Sequence, residues 1–342
     1  MKTQAITFTS QGVAALETIE LPDAGPTDVS VQLEVSGVSV GTERWALLGK
    51  RPEMAFPHVP GYMGIGRITA VGAVAASCGW REGQRINFAC SRLPAPYAGN
   101  SWMGTHLAHA VVDVTAGREG RDGPHHFFRA EPLPEGLDPL DSALTQLCGV
   151  ALRGIEMARI PAGGTVLVVG AGVIGQFAAQ ICRLKGARVM VSDVVRSRLD
   201  IAARLGAAWT VDPSREDLAA RAAAAAPGGF DVIIDTASIP SVVNAAVPLL
   251  RVGGQIIFQG WYPPPSALDL HAMHIRQPTC HFPCGHSGRH VAQAMLWTRD
   301  RLIDARSLLD RVVRPGEAPE FYRHMAGSSE AFLGAAIDWR NA

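Results

Sequence analysis

Residues 165–175 restrict the fold of this chain more than any other stretch. TVLVV at 165–169 is an apolar run of strand length, GAGVIG at 170–175 follows without a break, and QFAAQICRL continues with helical spacing of its apolar residues. A glycine-rich string alone is compatible with a simple packing turn. Between a buried-type strand and a helix it reads as a dinucleotide-binding turn, because the opening helix points backbone N–H groups and its positive dipole end at a pyrophosphate. In this reading Gly170 permits the tight turn, Gly172 lets the diphosphate approach, and Gly175 lets helix and strand pack closely, while Val173 and Ile174 open the helix at the ligand. RVMVSD at 188–193 is a second strand, and Asp193 ends it where a carboxylate accepts hydrogen bonds from the adenosine ribose hydroxyls. A carboxylate there repels a 2′-phosphate, so NAD(H) is favoured over NADP(H). Arg196 and Arg198 keep the second option open: either reaches a phosphate if Asp193 turns away, and either is equally well a solvated residue of the next helix.

The alternation of strand and helix continues. AAWTVD at 207–212, FDVIIDTA at 230–237 and QIIFQ at 255–259 read as strands, with helices starting near Ser197, Ser214 and Ser241. Strands separated by single helices make a doubly wound parallel sheet. AARAAAAAP at 219–227 is an ordinary surface helix, with Ser214 and Asp217 spaced as a capping box. VAQAMLWT at 291–298 adds one more helix. Residues 1 to about 135 have a different texture. Short strands such as VSVQLEV at 29–35 and GRITAV at 66–71, broken by Gly and Pro, predict an all-β, barrel-like unit. No period of 20 to 50 residues recurs, which excludes a solenoid.

Charge and cysteine usage then exclude whole classes. Lys and Arg balance Asp and Glu at 31 each in 342 residues, and no basic run is interleaved with aromatics, so a nucleic-acid partner has no electrostatic footprint. The first residues alternate like a strand and lack the apolar core of a signal peptide, and no run is long enough for a membrane span. Six scattered cysteines suit a reducing compartment, so the expected location is cytoplasmic.

The layout as a whole resembles the medium-chain dehydrogenase/reductase superfamily. The resemblance is carried by VPGYMGIGRITAVG at 59–72, WREGQRI at 80–86, EPLPEGLDP at 131–139, the 165–175 turn, FDVIID at 230–235 and VGGQII at 252–257, and it covers nearly the whole chain. It implies an α/β protein with two parts. A GroES-like β-barrel catalytic domain is formed from 1–137 and 290–342, and a Rossmann domain with a doubly wound parallel sheet is inserted at 138–289, with the site in the cleft between them. Family habit implies a homodimer or homotetramer acting on a small-molecule substrate.

Departures from the family pattern carry as much information. Zinc-dependent alcohol dehydrogenases of this superfamily take metal ligands from a Gly-x-Cys segment, a Gly-His-Glu segment and a third position ahead of the Rossmann strand. This chain has Gly37-Val-Ser39, Gly61-Tyr62-Met63 and Thr145 there. Hydroxyls and a thioether bind Zn²⁺ poorly, so no catalytic zinc is expected. Thr145 becomes a candidate cofactor contact, or only a helix cap. A rival metal site, CHFPCGH at 280–286 with His271, His274 and His290 nearby, has the ligand types, but Cys-x₃-Cys is not the usual knuckle and a packed loop is favoured.

Without zinc, the oxygen of a reacting carbonyl needs donors or a general acid. Tyr62 is the candidate acid or base, Ser39 and Thr42 the candidate donors beside it, and Glu43 the group that polarises them or relays a proton to solvent. The alternative is that Tyr62 fills the space a metal would take. Within the superfamily, SGVSVGTERWALLGK at 36–50 and VPGY at 59–62 are most similar to dehydrogenases of the 3-hydroxyethyl bacteriochlorophyllide type, which implies a secondary alcohol and ketone pair. Two other readings stay open: an NAD(P)H-dependent enone or quinone reductase, and a cofactor-binding protein without turnover. Trp45, Trp102 and Trp261 are candidates for the substrate-lining loops or for the core.

Overall fold

The computed structural model describes residues 1–52, 54–97, 104–115, 130–262, 265–327 and 332–340. Its strands are β1 (Lys2–Ser10), β2 (Val13–Glu20), β3 (Asp28–Val38), β4 (Met63–Val71), β5 (Arg85–Phe88), β6 (His109–Asp113), β7 (Ala130–Pro132) and β8 (Thr165–Val169). They continue as β9 (Arg188–Ser192), β10 (Trp209–Val211), β11 (Phe230–Asp235), β12 (Leu250–Phe258), β13 (Thr279–His281), β14 (Arg311–Val313) and β15 (Ala335–Asp338). The helices are α1 (Val40–Leu47), α2 (Ala73–Ser77), α3 (Pro139–Ser142), α4 (Thr145–Met157), α5 (Val173–Leu184) and α6 (Arg196–Arg204). After them come α7 (Leu218–Ala225), α8 (Pro240–Ala246), α9 (Leu270–Arg276), α10 (Gly288–Arg299) and α11 (Ala318–Gly327).

Both chain ends build the first unit, which comprises Met1–Gln146, His286–Arg301 and Ala305–Ala342. Its main sheet runs β14-β15-β3-β4-β5-β7, with β6 also on β3 and β1 paired to β2 beside it. β15 lies antiparallel to β3, Ala335 opposite Val38 and Asp338 opposite Val35, so the end of the chain supports the strand that leads into α1. One continuous core collects Phe8, Val31, Leu33, Ile68, Phe88, Leu107, Tyr322 and Ile337 from both ends of the sequence.

The second unit comprises Leu147–Gly285 and Leu302–Asp304. Its sheet is parallel throughout, in the order β10-β9-β8-β11-β12-β13. That is the doubly wound order, whose direction reverses between β8 and β11. Val166, Leu167 and Val168 of β8 are fully buried, as expected for a strand with both sheet faces covered.

The structure shifts two expected boundaries. The first unit extends to Gln146 instead of residue 137, because Gln146 Nε2 donates to Asn87 Oδ1 at 2.7 Å and to the Phe88 carbonyl at 3.1 Å, holding the start of α4 to β5. It resumes at His286 instead of residue 290, because Ser287 caps α10 together with His290 and Gly288 lies directly against Glu131 of β7, where a methyl would stand 2.1 Å from its Oε1. The expected capping box also differs. Asp217 caps α7 by accepting from the Ala219 and Ala220 amides, while Ser214 closes a turn on Asp212 and takes no part in the helix. Among the described residues no helix is long and apolar enough to cross a membrane.

Candidate functional site

Two constellations hold the residues singled out above, one in each unit. In the second unit the glycine-rich turn leaves β8 at the point where strand order reverses. Gly170 has φ +93°, a conformation that costs a residue with a Cβ about 1–2 kcal/mol. A methyl group at Gly175 would stand 1.9 Å from the Gly170 carbonyl oxygen, so this glycine is what lets α5 pack onto its own turn. A methyl at Gly172 would meet nothing within 4 Å, which leaves open space over the turn. Gly172 is also the N-cap of α5 and no side chain caps the helix. First-turn N–H groups, those of Val173 and Ile174 among them, are therefore left for solvent or an anion.

Asp193 follows β9, and both its oxygens are engaged. Oδ2 accepts from the Ala171 amide at 2.6 Å and Oδ1 from the Val195 amide at 2.8 Å. The carboxylate is thereby fixed against the glycine turn. Arg196 pairs with Asp200 at 2.9 Å on an exposed face, and the Arg198 carbonyl accepts from Gln176 Nε2 at 2.8 Å, which holds the start of α6 to α5. This donor and cradle set fits a dinucleotide.

Sequence reasoning missed the neighbours that complete the turn. Thr236 donates its hydroxyl to the Val169 and Gly170 carbonyls, both at 3.0 Å, tying the end of β11 to the end of β8. Asp235 beside it is buried and accepts from the Ala237 and Ser238 amides and from the Tyr262 hydroxyl. Burial pushes its carboxyl upward against those hydrogen bonds. No local pattern marks these residues, since FDVIID reads only as a strand.

In the first unit, Ser39, Thr42 and Glu43 sit at the start of α1 and Tyr62 just before β4. The structure brings them together. The Tyr62 hydroxyl donates to Ser39 Oγ at 2.7 Å. Desolvation raises the Tyr62 phenol above its ordinary value, and hydrogen bonds with Ser39 and Thr42 draw it partly back. The phenol is therefore held as a proton donor at neutral pH.

Glu43 takes a different position from the expected one. Glu43 has no exposure of its own, so it exchanges no proton directly with solvent. Its Oε1 accepts from the Ser39 amide at 2.8 Å, and its Oε2 meets His106 Nε2 at 2.9 Å and the Tyr322 hydroxyl at 2.5 Å. His106 Nδ1 is 2.8 Å from Ser36 Oγ, which also accepts from Trp339 Nε1 at 2.9 Å. His106, Tyr322 and Trp339 were not legible as site residues, since 63 positions separate His106 from Glu43, 279 separate Tyr322 from it, and Trp339 lies farther still.

Thr145 lies in a separate buried cluster of the same unit. Its hydroxyl donates to the Ser142 carbonyl at 2.8 Å and accepts from Asn87 Nδ2 at 3.1 Å. The residues at the three ligand positions of the zinc enzymes do not fit a zinc ion. They are two hydroxyls and a phenol, and those oxygens already hydrogen-bond to each other or to neighbouring protein groups. Cys148 near the third position is wholly buried and burial pushes its thiol up.

The histidine and cysteine segment is dispersed. Cys280 lies on β13, Cys284 is exposed, and His290 closes the N-terminus of α10 with Ser287. Among the described residues no three His, Cys, Asp or Glu side chains converge to hold a metal ion. Trp45 is half-buried under Lys50, whose Nζ is 5.6 Å from the ring centroid, and Trp261 is exposed. Trp102 lies outside the described residues.

Comparison with known proteins agrees with the fold. The family profile of zinc-binding dehydrogenases matches residues 173–294. L-galactonate-5-dehydrogenase of Escherichia coli (strain K12) is 30% identical over 253 residues, 71% of this chain and 72% of that protein. L-threonine 3-dehydrogenase of Edwardsiella ictaluri (strain 93-146) is 28% identical over 263 residues, 73% and 75% of the two chains. Among solved structures, a zinc-binding dehydrogenase from Sinorhizobium meliloti 1021 bound to NADP superposes with a TM-score of 0.82 at 23% identity, covering 99% of both chains. With parallel strands ordered to form a dinucleotide crevice, and a relative this similar over seven-tenths of both sequences, the chain belongs to the medium-chain dehydrogenase/reductase superfamily.

Proposed function

We propose that this protein interconverts a secondary alcohol and a ketone with NAD(H) and without a catalytic zinc ion, the Tyr62 phenol moving the proton. The observation that carries the reading is the Tyr62 hydroxyl donating to Ser39 Oγ at 2.7 Å, at positions where zinc relatives place metal ligands. Membership of a dehydrogenase superfamily supports the coarser part, an oxidoreductase acting on alcohols. Two relatives are named for dehydrogenation of L-galactonate at position 5 and of L-threonine at position 3.

The nicotinamide, when bound, supplies or takes the hydride. The chain's own groups do the rest. Gly172 and the first turn of α5 accommodate the diphosphate, and Asp193, fixed by two backbone amides, accepts from ribose hydroxyls. A carboxylate held this firmly cannot turn away from a 2′-phosphate, which favours NAD(H). As the carbonyl oxygen gains charge, Tyr62 passes its proton to it, and the Ser39 and Thr42 hydroxyls turn to donate to the phenolate that results. In the oxidative direction the same phenolate takes the alcohol proton. Burial holds Tyr62 in its protonated form, the form that reduction uses. That observation also favours a second reading, reduction of an activated C=C bond or quinone, in which Tyr62 supplies the proton to the product.

Cofactor oxidation measured with paired ketone, enone and quinone probes, on protein dialysed against a chelator and checked by elemental analysis, tests the proposal. Ketone reduction by metal-free protein is the expected result. Activity confined to enones or quinones selects the second reading. Recovery of ketone activity only on adding Zn²⁺ overturns the zinc-free mechanism.

A further inference from the structure

His106 touches both arms of the Tyr62–Ser39 pair and belongs to neither. On one side its Nε2 is 2.9 Å from Glu43 Oε2, and the other oxygen of Glu43 holds the Ser39 amide at 2.8 Å. On the other side the imidazole lies behind the turn that precedes Tyr62. Gly61 has φ +87°, and a methyl group there would stand 2.6 Å from His106 Cε1 and 2.7 Å from Nδ1. The backbone repeats the link: Gly104 N donates to the Gly61 carbonyl at 2.7 Å, His106 N to the Pro60 carbonyl at 3.2 Å, and Thr105 Oγ1 accepts from Met63 N at 3.2 Å. Residues 104–106 thus clamp the Tyr62 arm while the His106 ring clamps the Ser39 arm.

The ring is itself held. Glu43, His106, Ser36 and Tyr322 are fully buried and Trp339 is 4% exposed. With the imidazole proton placed on Nε2, the hydrogen bonds close consistently. Trp339 donates to Ser36, the Ser36 hydroxyl donates to Nδ1, and Nε2–H donates to Glu43, which also accepts from Tyr322 and the Ser39 amide. A carboxylate in a dry interior needs such a set of donors, and removing one leaves a costly deficit.

We infer that His106 is a positioning residue: one buried imidazole, braced by the C-terminal Tyr322 and Trp339, sets the separation of the Ser39 and Tyr62 hydroxyls, the task a metal ion performs for ligands at these positions in zinc relatives. Its catalytic meaning rests on the Tyr62 reading above, whereas the positioning is measurable without turnover.

The chain has only four tyrosines, so ¹³C at tyrosine Cζ gives a spectrum in which Tyr62 is assigned by its loss in Tyr62→Phe. In the full-length protein, His106→Leu should displace or broaden the Tyr62 resonance. Ketone turnover should fall by about 10²-fold, the scale of an ångström of misplacement, with NADH affinity unchanged. His106→Gln puts an amide N–H close to the Nε2 position and should restore both. An unmoved Tyr62 resonance in folded His106→Leu overturns the inference, as does a Gln variant no better than Leu. If His106→Leu does not fold, Tyr322→Phe removes one donor from Glu43, and an unmoved Tyr62 resonance there overturns it equally. A moved Tyr62 resonance in His106→Leu, with normal turnover both there and in Tyr62→Phe, upholds the positioning and defeats the catalytic reading of Tyr62.

Discussion

Tyr62→Phe separates the two meanings of the phenol because its expected effects on stability and on rate differ in size. The substitution keeps the ring and removes one oxygen. In the folded protein that oxygen makes a neutral hydrogen bond of 2.7 Å to Ser39. A bond of that kind contributes about 0.5–1.5 kcal/mol net. Part of this is offset, because the desolvation that raises the phenol's pKa disappears with it. The melting temperature should then fall by no more than a few degrees, at about 2–4 °C per kcal/mol for units of this size. Loss of a general acid lowers turnover by about 10²–10⁴-fold, or about 2.7–5.4 kcal/mol of barrier. Steady-state ketone reduction, NADH binding by nicotinamide fluorescence and thermal unfolding, run on one preparation, give all three quantities. Turnover down at least about 10²-fold, with cofactor affinity nearly intact and a small loss of stability, is the expected result. Near-wild-type turnover refutes the reasoning and leaves Tyr62 as a filler of space.

The glycine turn offers a paired test. Gly172→Ala should unfold at the same temperature as the parent, since its methyl meets nothing in the protein, and should bind NADH more weakly because it enters the diphosphate space. Gly175→Ala should lose stability by about 1–3 kcal/mol or more in chemical denaturation, since its methyl collides with the Gly170 carbonyl. Asp193→Ala should lower the ratio of NAD to NADP kcat/KM by about tenfold or more, given about 4 kcal/mol for two unit charges at ~4 Å and a dielectric near 20. An unchanged ratio would show that Asp193 does not select the cofactor. Burial raises the phenols of Tyr62, Tyr97, Tyr262 and Tyr322 above the ordinary 10.0. The unfolded chain therefore releases these protons first, and the stability they contribute is intact below about pH 10 and declines as pH climbs from there toward the folded values. Phenolate absorbance should rise late in the folded protein and near pH 10 after unfolding.

The second unit was readable because its signals are local. Strand, glycine turn, helix and terminal carboxylate occupy 165–193, and each states its own backbone requirement within a few residues. Helix starts were less legible. Ser214 and Asp217 satisfy the same spacing rule, and the choice between them fell to the turn Ser214 makes with Asp212. In the first unit the candidates Ser39, Thr42, Glu43 and Tyr62 came from likeness to a metal-binding pattern, and residue types at those positions said what was missing. They did not say what had replaced it.

What the sequence determined by itself is the parallel doubly wound sheet and the glycine turn between β8 and α5, with Asp193 at the end of the next strand. Periodicity, glycine and short-range polar spacing are properties of neighbouring residues, and a sequence displays those directly. Only the tertiary structure decided that Glu43 is a fully buried anchor, and that His106 and Tyr322 close on it while Trp339 holds Ser36 behind the His106 ring. The Tyr322 hydroxyl reaches Glu43 across 279 positions of chain. A buried carboxylate must be satisfied by whatever donors the fold brings to it, and which donors those are is settled by β15 pairing with β3 and α11 packing into the same core.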